Sequence, residues 1–340
     1  MAIKIEYDRI CIGSFVLCED ANGVAFDGIA CANEFCDTRT FGGTVSGYTS
    51  GGEARPSGDC IVATIDKFSF AADGNATSVG GLSQARSGNA GQSSAENGYT
   101  SGGISALSPT PTASVCDTID KFPFSADTPA TDVGDLTQAR YYAAGQSSFD
   151  NGYTSGGWVL GPVINTIDKF PFATDTNATD AGDLTVIRYI VMGQSSPVNG
   201  YTSGGISPPT VSNIIDKFPF AADANATDVG DLFQALYGGA GQSSTVSGYQ
   251  SGGAPPPAVD TIQKFPFATD ANATDVGNLT LVRRCLGGGQ SSTQSGYATG
   301  GTGGSEKLNV IDKFPFSSDT NASDVGDLTQ GRDEGAGQQV

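Results

Sequence analysis

Aspartate is the residue best placed to do chemistry in this 340-residue chain, because histidine is absent altogether. That absence removes Ser-His-Asp triads and His-ligated zinc or copper centres. Carboxylate pairs remain available for general acid–base work, but the same Asp-rich words return copy after copy. A catalytic centre needs one asymmetric constellation, so no enzyme is expected. Asp175, Asn177 and Asp180 in "DTNATD" sit at a spacing that suits calcium. They lack the bidentate Glu that closes a calcium loop, and a hairpin turn bonded by its own Asx side chains is the plainer reading. The Asn-Ala-Thr within it is a glycosylation acceptor on paper. Cys11, Cys18, Cys31 and Cys36 have no Cys-x-x-Cys spacing among them, so buried thiols are expected rather than zinc. Seven cysteines is an odd number, which excludes a complete internal disulfide framework.

Other polar residues recur at matched places. Arg86, Arg140, Arg188 and Arg332 are equivalent, with Arg283 or Arg284 in a fifth copy and Leu236 in the remaining one. With Asp135, Asp183, Asp231 and Asp327 shortly upstream, Arg–Asp pairs that lock neighbouring repeats are expected. An anion-binding set at a channel mouth is the alternative. Gln92, Gln146, Gln194, Gln242, Gln290 and Gln338 form a second set, expected to line a polar, water-filled channel. Against this regularity stand residues that differ between copies: Trp158, the only tryptophan, with Tyr141, Tyr142, Tyr189, Tyr237 and Arg284. Variable aromatic positions on a rigid scaffold are candidates for binding.

The elements that must position these residues are short strands. The words "GYTSGG", "IDKFPF", "NATDVGDL" and "GQSS", or near copies, repeat with the key phenylalanines at Phe68, Phe122, Phe170, Phe218, Phe265 and Phe314. Asn-Gly steps before "YTSGG" suit tight hairpins. Four antiparallel strands in about fifty residues match a propeller blade. The expected fold is all-β: a six-bladed β-propeller over residues 46–340, its first blade completed by the C-terminal "GAGQQV", which removes exposed sheet edges. Residues 1–45 read as a separate β-rich packing or anchor segment. Loops after each "GYTSGG" differ in every copy and several are proline-stiffened, as in "ISPPTVSN" and "APPPAVD".

The order Arg, small strand, Gly-Tyr-Thr-Ser-Gly-Gly, loop, Ile-Asp-Lys-Phe, hairpin, Asp-Leu resembles the kelch repeat. The usual fourth-strand tryptophan is replaced by "TDVGDL". The wording is also similar to kelch-like repeat proteins of marine viruses and phages. That resemblance implies a non-enzymatic virion component, on capsid or tail, for decoration or host attachment. Its partners would be other virion proteins through residues 1–45, with a host surface protein or glycan on the variable face. A cellular kelch-type adaptor or a glycan-binding propeller is the alternative. A net charge of −19 argues against nucleic acid, no apolar run is long enough for membrane insertion, and the alternating N-terminus is unlike a secretory signal. Assembly in a host cytoplasm, with no cofactor, is the resulting expectation.

Overall fold

A computed structural model describes residues 9–12, 15–20, 23–25, 42–54, 60–106, 113–255 and 257–340. The chain divides into two units, Met1–Thr40 and Phe41–Val340, the division lying five residues earlier than the expected one. Gly43 and Val45 belong to the second unit because their amides donate to Ser291 O and Val340 O. In the first unit Arg9–Ile12, Phe15–Asp20 and Gly23–Ala25 form one antiparallel three-stranded sheet. Cys31 and Cys36 lie outside the described residues.

The second unit contains no helix among its described residues. It consists mainly of six four-stranded antiparallel sheets, taken here in chain order. In the third, for example, Ala144–Ser147, Asn151–Ser155, Thr166–Pro171 and Thr179–Asp183 pair in sequence order. The first sheet is made from both ends of the unit: Ala336–Gln339 pairs with Ser46–Ser50, which pairs with Thr64–Ser69 and then Thr77–Gly81. Each third and fourth strand meet across a register shift, as between Ile167 and Asp168.

The core lies between sheets, not within them. Ile119 and Leu136 of the second sheet cluster with Phe170 and Ala178 of the third. Tyr99 crosses the same seam, stacking on Phe172 with centroids 4.8 Å apart and tilting against Phe170 at 5.6 Å. The pattern recurs through Tyr153, Tyr201, Tyr249, Tyr297 and Tyr48, each on the phenylalanine pair of another sheet. Gly152 precedes Tyr153 because the tip of the Phe170 ring abuts it; a Cβ there would fall 2.3 Å from Cζ. The phenylalanines therefore fill the seams, as their alternation suggested.

Candidate functional site

The linker from each fourth strand to the next first strand folds onto the loop that follows the second strand. Single backbone bridges join Ser87 to Ile104, Tyr141 to Trp158, Tyr189 to Ile206, Tyr237 to Ala254 and Arg284 to Thr302. Variable loops and variable linkers thus share one surface, here called the linker face. The next residue of each linker is left-handed: Gly88, Tyr142, Ile190, Gly238, Cys285 and Glu334 have φ between 50° and 64°. That conformation costs an L-residue roughly 1–2 kcal/mol, and four of the six are not glycine. A series of backbone bonds holds them there. Tyr142 N–H donates to Gly88 O at 2.6 Å, Ile190 to Tyr142 at 2.8 Å, Gly238 to Ile190 at 3.2 Å, Glu334 to Cys285 at 3.0 Å and Gly88 to Glu334 at 2.8 Å. At the fifth linker Leu286 N–H, not that of Cys285, donates to Gly238 O.

Of the variable residues, four come together. Tyr141 stacks on Trp158 at 5.6 Å and touches Tyr142 at 4.7 Å, while Tyr189 lies 5.2 Å from Trp158 and 6.4 Å from Tyr142. Tyr141 is buried and the other three are half-buried. Tyr237 and Arg284 sit at the equivalent places of other linkers and make no ring contact with this group. Tyr142 then reaches away from the cluster. Its hydroxyl donates to Glu334 Oε1 at 2.8 Å, across 192 residues of chain. The intervening linker has Gly88, where a Cβ would come 2.9 Å from the Tyr142 ring. Glu334 neighbours Asp333, which accepts from Thr302 Oγ1 and pairs with Lys307 at 2.8 Å; Lys307 also holds Glu53. Burial first, then the Asp333 charge, pushes the Glu334 carboxyl up to about 7. Burial likewise pushes the Cys285 thiol up to about 12. Sequence reading missed Glu334 and Cys285. Their shared offset of two residues after each arginine was visible, but the left-handed backbone that turns them inward was not.

The arginines form locks between linker and sheet, with different partners from those expected. Arg86, Arg140, Arg188, Arg283 and Arg332 are fully buried and pair with Asp120, Asp168, Asp216, Asp312 and Asp66, the aspartates of the "IDKF" words. Asp135, Asp183, Asp231 and Asp327 are not their partners. Burial also removes the alternative of an anion-binding mouth. Each aspartate is further bonded by a linker Ser or Thr, as Thr185 N–H and Oγ1 donate to Asp216 at 3.0 and 2.7 Å. The fifth sheet shows why the pair works as a unit. Where the arginine becomes Leu236, the aspartate becomes Gln263, and Gln250 replaces a threonine to donate to Gly252 O and accept from Gln263. A buried carboxylate without its cation would be costly, and the chain does not leave one there.

The glutamines do not line a water-filled channel. All six are buried, and each staples two sheets: Gln146 Nε2 donates to Ser155 Oγ at 2.9 Å and, in the next sheet, to Tyr201 O at 3.0 Å and Thr202 Oγ1 at 2.9 Å. Beside them, Gly145 packs so tightly that a Cβ would meet Gly91 O at 2.1 Å, and Gly193, Gly241, Gly289, Gly337 and Gly91 repeat the contact. The calcium-like donors diverge. Asp175 pairs with Lys121 at 2.5 Å, Asn177 Oδ1 accepts from Asp135 N–H at 3.1 Å, and Asp180 Oδ1 accepts from Gly182 N–H at 2.9 Å. These interactions are hairpin and inter-sheet bonds. Cys60, Cys116 and Cys285 are free thiols.

No family model matches the chain, and no curated protein matches it. Among solved structures it is similar to the structure of YjhT, with a TM-score of 0.61 and 12% sequence identity, over 78% of this chain and 94% of that one. At that identity the likeness speaks to the fold alone, an all-β arrangement of four-stranded antiparallel sheets that is β-propeller-like.

Proposed function

We propose that this chain is a closed six-bladed, kelch-like β-propeller that acts as a non-enzymatic recognition module, carried on a virion and attached through residues 1–45. Closure is supported by several inter-sheet bond series that come back to their start. Gln290 in the sixth sheet reaches Tyr48 in the first, Lys313 pairs with Asp73, and Thr329 and Arg332 bind Asp66. The sheets are then blades, and the six left-handed linker residues surround one mouth of the axis.

The observation that carries the recognition reading is the aromatic wall of Tyr141, Tyr142, Trp158 and Tyr189. Three chain segments contribute to it, and large aromatic side chains with a polar tip suit an interface that is apolar on one side and wet on the other. On the linkers, Ile187, Phe233, Leu281 and Val282 are exposed, where the equivalent positions of other copies hold smaller or polar residues such as Ala85, Ser83, Gln84 and Ala139. Catalysis finds no comparable support: Asp66, Asp120, Asp168, Asp216 and Asp312 are committed to arginines, and Asp333 to Lys307 and Thr302. The charge of −19 fits a solvated, non-adhesive surface that avoids nucleic acid.

The test is mass spectrometry of purified particles together with electron microscopy using an antibody against the linker face. Recovery of the protein in particles at fixed copy number, with that face outward, is the expected result. Its absence from particles would refute the virion reading and leave a protein adaptor or glycan-binding propeller. Trp158→Ala separates recognition from folding: it should weaken binding to the host surface at least tenfold with little change in melting temperature.

A further inference from the structure

We propose that the Tyr142–Glu334 bond is a proton-operated latch on the aromatic wall, closed while the Glu334 carboxyl is neutral and released when it ionises and turns to water. The inference concerns regulation of the surface assigned above to recognition and rests on that assignment.

Three features of the geometry support it. Both latch residues are held left-handed by the inter-linker bond series, so their backbones are fixed and only the side chains can respond. Tyr142 bridges two regions: its ring packs on Tyr141 and Tyr189, and its hydroxyl ends on Glu334. Gly88 leaves the path between them free of side chain. A change at Glu334 therefore has a direct mechanical route into the aromatic wall.

The charges around Glu334 favour its neutral form. On its own linker stands Asp333, and Glu53 faces from the strand paired with that linker. The facing cation, Lys307, is already held by both at 2.8 Å. Cys285, with Arg284 beside it, stays a neutral thiol because burial and Glu334 push it up to about 12. Tyr142 is raised by burial and by Glu334, so it remains a hydrogen donor throughout. Burial is the largest cause of the raised carboxyl and Asp333 the second, against the opposing pull of the Tyr142 hydroxyl. The sign follows: the carboxyl is neutral and the latch closed below neutrality, and the buried charge that forms above it is relieved by turning outward.

The chain supplies its own reporter. Trp158 is the only tryptophan, and it lies within the wall. No histidine is present to titrate near neutrality. Trp158 emission and near-ultraviolet circular dichroism of the full chain, followed from pH 4 to 9, should show one single-proton transition. Its midpoint should lie above the ordinary carboxylate range and no higher than about 7, since opening to water lowers the apparent value. Glu334→Gln should lose that transition. Tyr142→Phe, which keeps the ring and removes the bond, should lose its amplitude while the far-ultraviolet spectrum stays unchanged. A flat titration in the parent chain overturns the latch, and so does a transition that survives in either variant; if one variant fails to fold, the other decides. No ligand is needed, so failure here leaves the recognition reading standing. Undiminished host binding by Trp158→Ala would remove that reading instead.

Discussion

Arg188 offers the most demanding test of how the sheets are held. Its guanidinium donates to Gly204 O at 3.0 Å, Ile214 O at 2.8 Å, Thr202 O at 3.0 Å and Asp216 Oδ2 at 2.7 Å. Burial pulls its pKa down and Asp216 pulls it back up. In Arg188→Leu the Asp216 carboxylate stays buried with only the Thr185 donors, and three carbonyls lose a partner. Removing one member of a buried pair costs about 3–5 kcal/mol, a large share of the roughly 5–15 kcal/mol that holds a domain together. Asp216→Gln alone should cost a similar amount by stranding the cation. The fifth sheet already carries another solution, Phe233, Leu236, Gln250 and Gln263 at the places of Thr185, Arg188, Thr202 and Asp216. Transplanting all four should restore stability to within about 1 kcal/mol of the parent, so the coupling energy would reach about 3 kcal/mol or more. Guanidinium unfolding followed by far-ultraviolet circular dichroism measures each variant. A mild Arg188→Leu, below about 1 kcal/mol, would refute the lock; so would effects that simply add.

Three further outcomes are expected. Gly145→Ala drives a Cβ to within 2.1 Å of Gly91 O, and because that atom is backbone on a packed first strand, the variant should fail to yield soluble folded protein, as gel filtration would show. Glu334→Gln should be more stable than the parent by roughly 2 kcal/mol at pH 8.5, partial exposure included, and equal to it near pH 4. The folded carboxyl binds its proton more tightly than the unfolded one, so parent stability falls as pH rises from the ordinary carboxylate range through about 7; thermal melts across pH would show it, and parallel melting curves would count against it. Deleting Ala336–Val340 removes the strand paired to Ser46–Ser50 and should broaden or abolish the cooperative melt in calorimetry, whereas an unchanged endotherm would contradict the proposed closure.

Much of the fold was legible because its determinants are local and written six times. Asn-Gly turns and phenylalanines at alternate positions, as in Phe122 and Phe124, announce hairpins and a buried face without reference to anything distant. The site was less legible because its determinants lie in pairings between copies. Arg188 has Asp183 five residues away in sequence, yet it pairs with Asp216, 28 residues on, because the linker folds onto the sheet it enters rather than the one it leaves. Gln146 looked like a channel residue because it is polar on a Gly-rich strand, but its side chain is buried and its amide is taken up by Ser155 in its own sheet and by Tyr201 and Thr202 in the next. Trp158, Tyr141, Tyr142 and Tyr189 were found because variation between copies is visible in one sequence. Glu334 was not, since no local pattern shows that a Tyr 192 residues earlier will reach its carboxylate.

The seam in the first sheet also sets a clock on biosynthesis. Ser50 emerges early, yet its partner Gln338 follows 288 residues later. At about 5–20 residues per second the ribosome needs on the order of 15–60 s to deliver it. Throughout that interval the Ser46–Ser50 strand presents an unpaired edge, the kind of surface that recruits other nascent chains. Five sheets can form in turn while the first waits. Yield in the cell should therefore depend on translation speed and on how crowded the polysome is, even for variants whose finished form is fully stable.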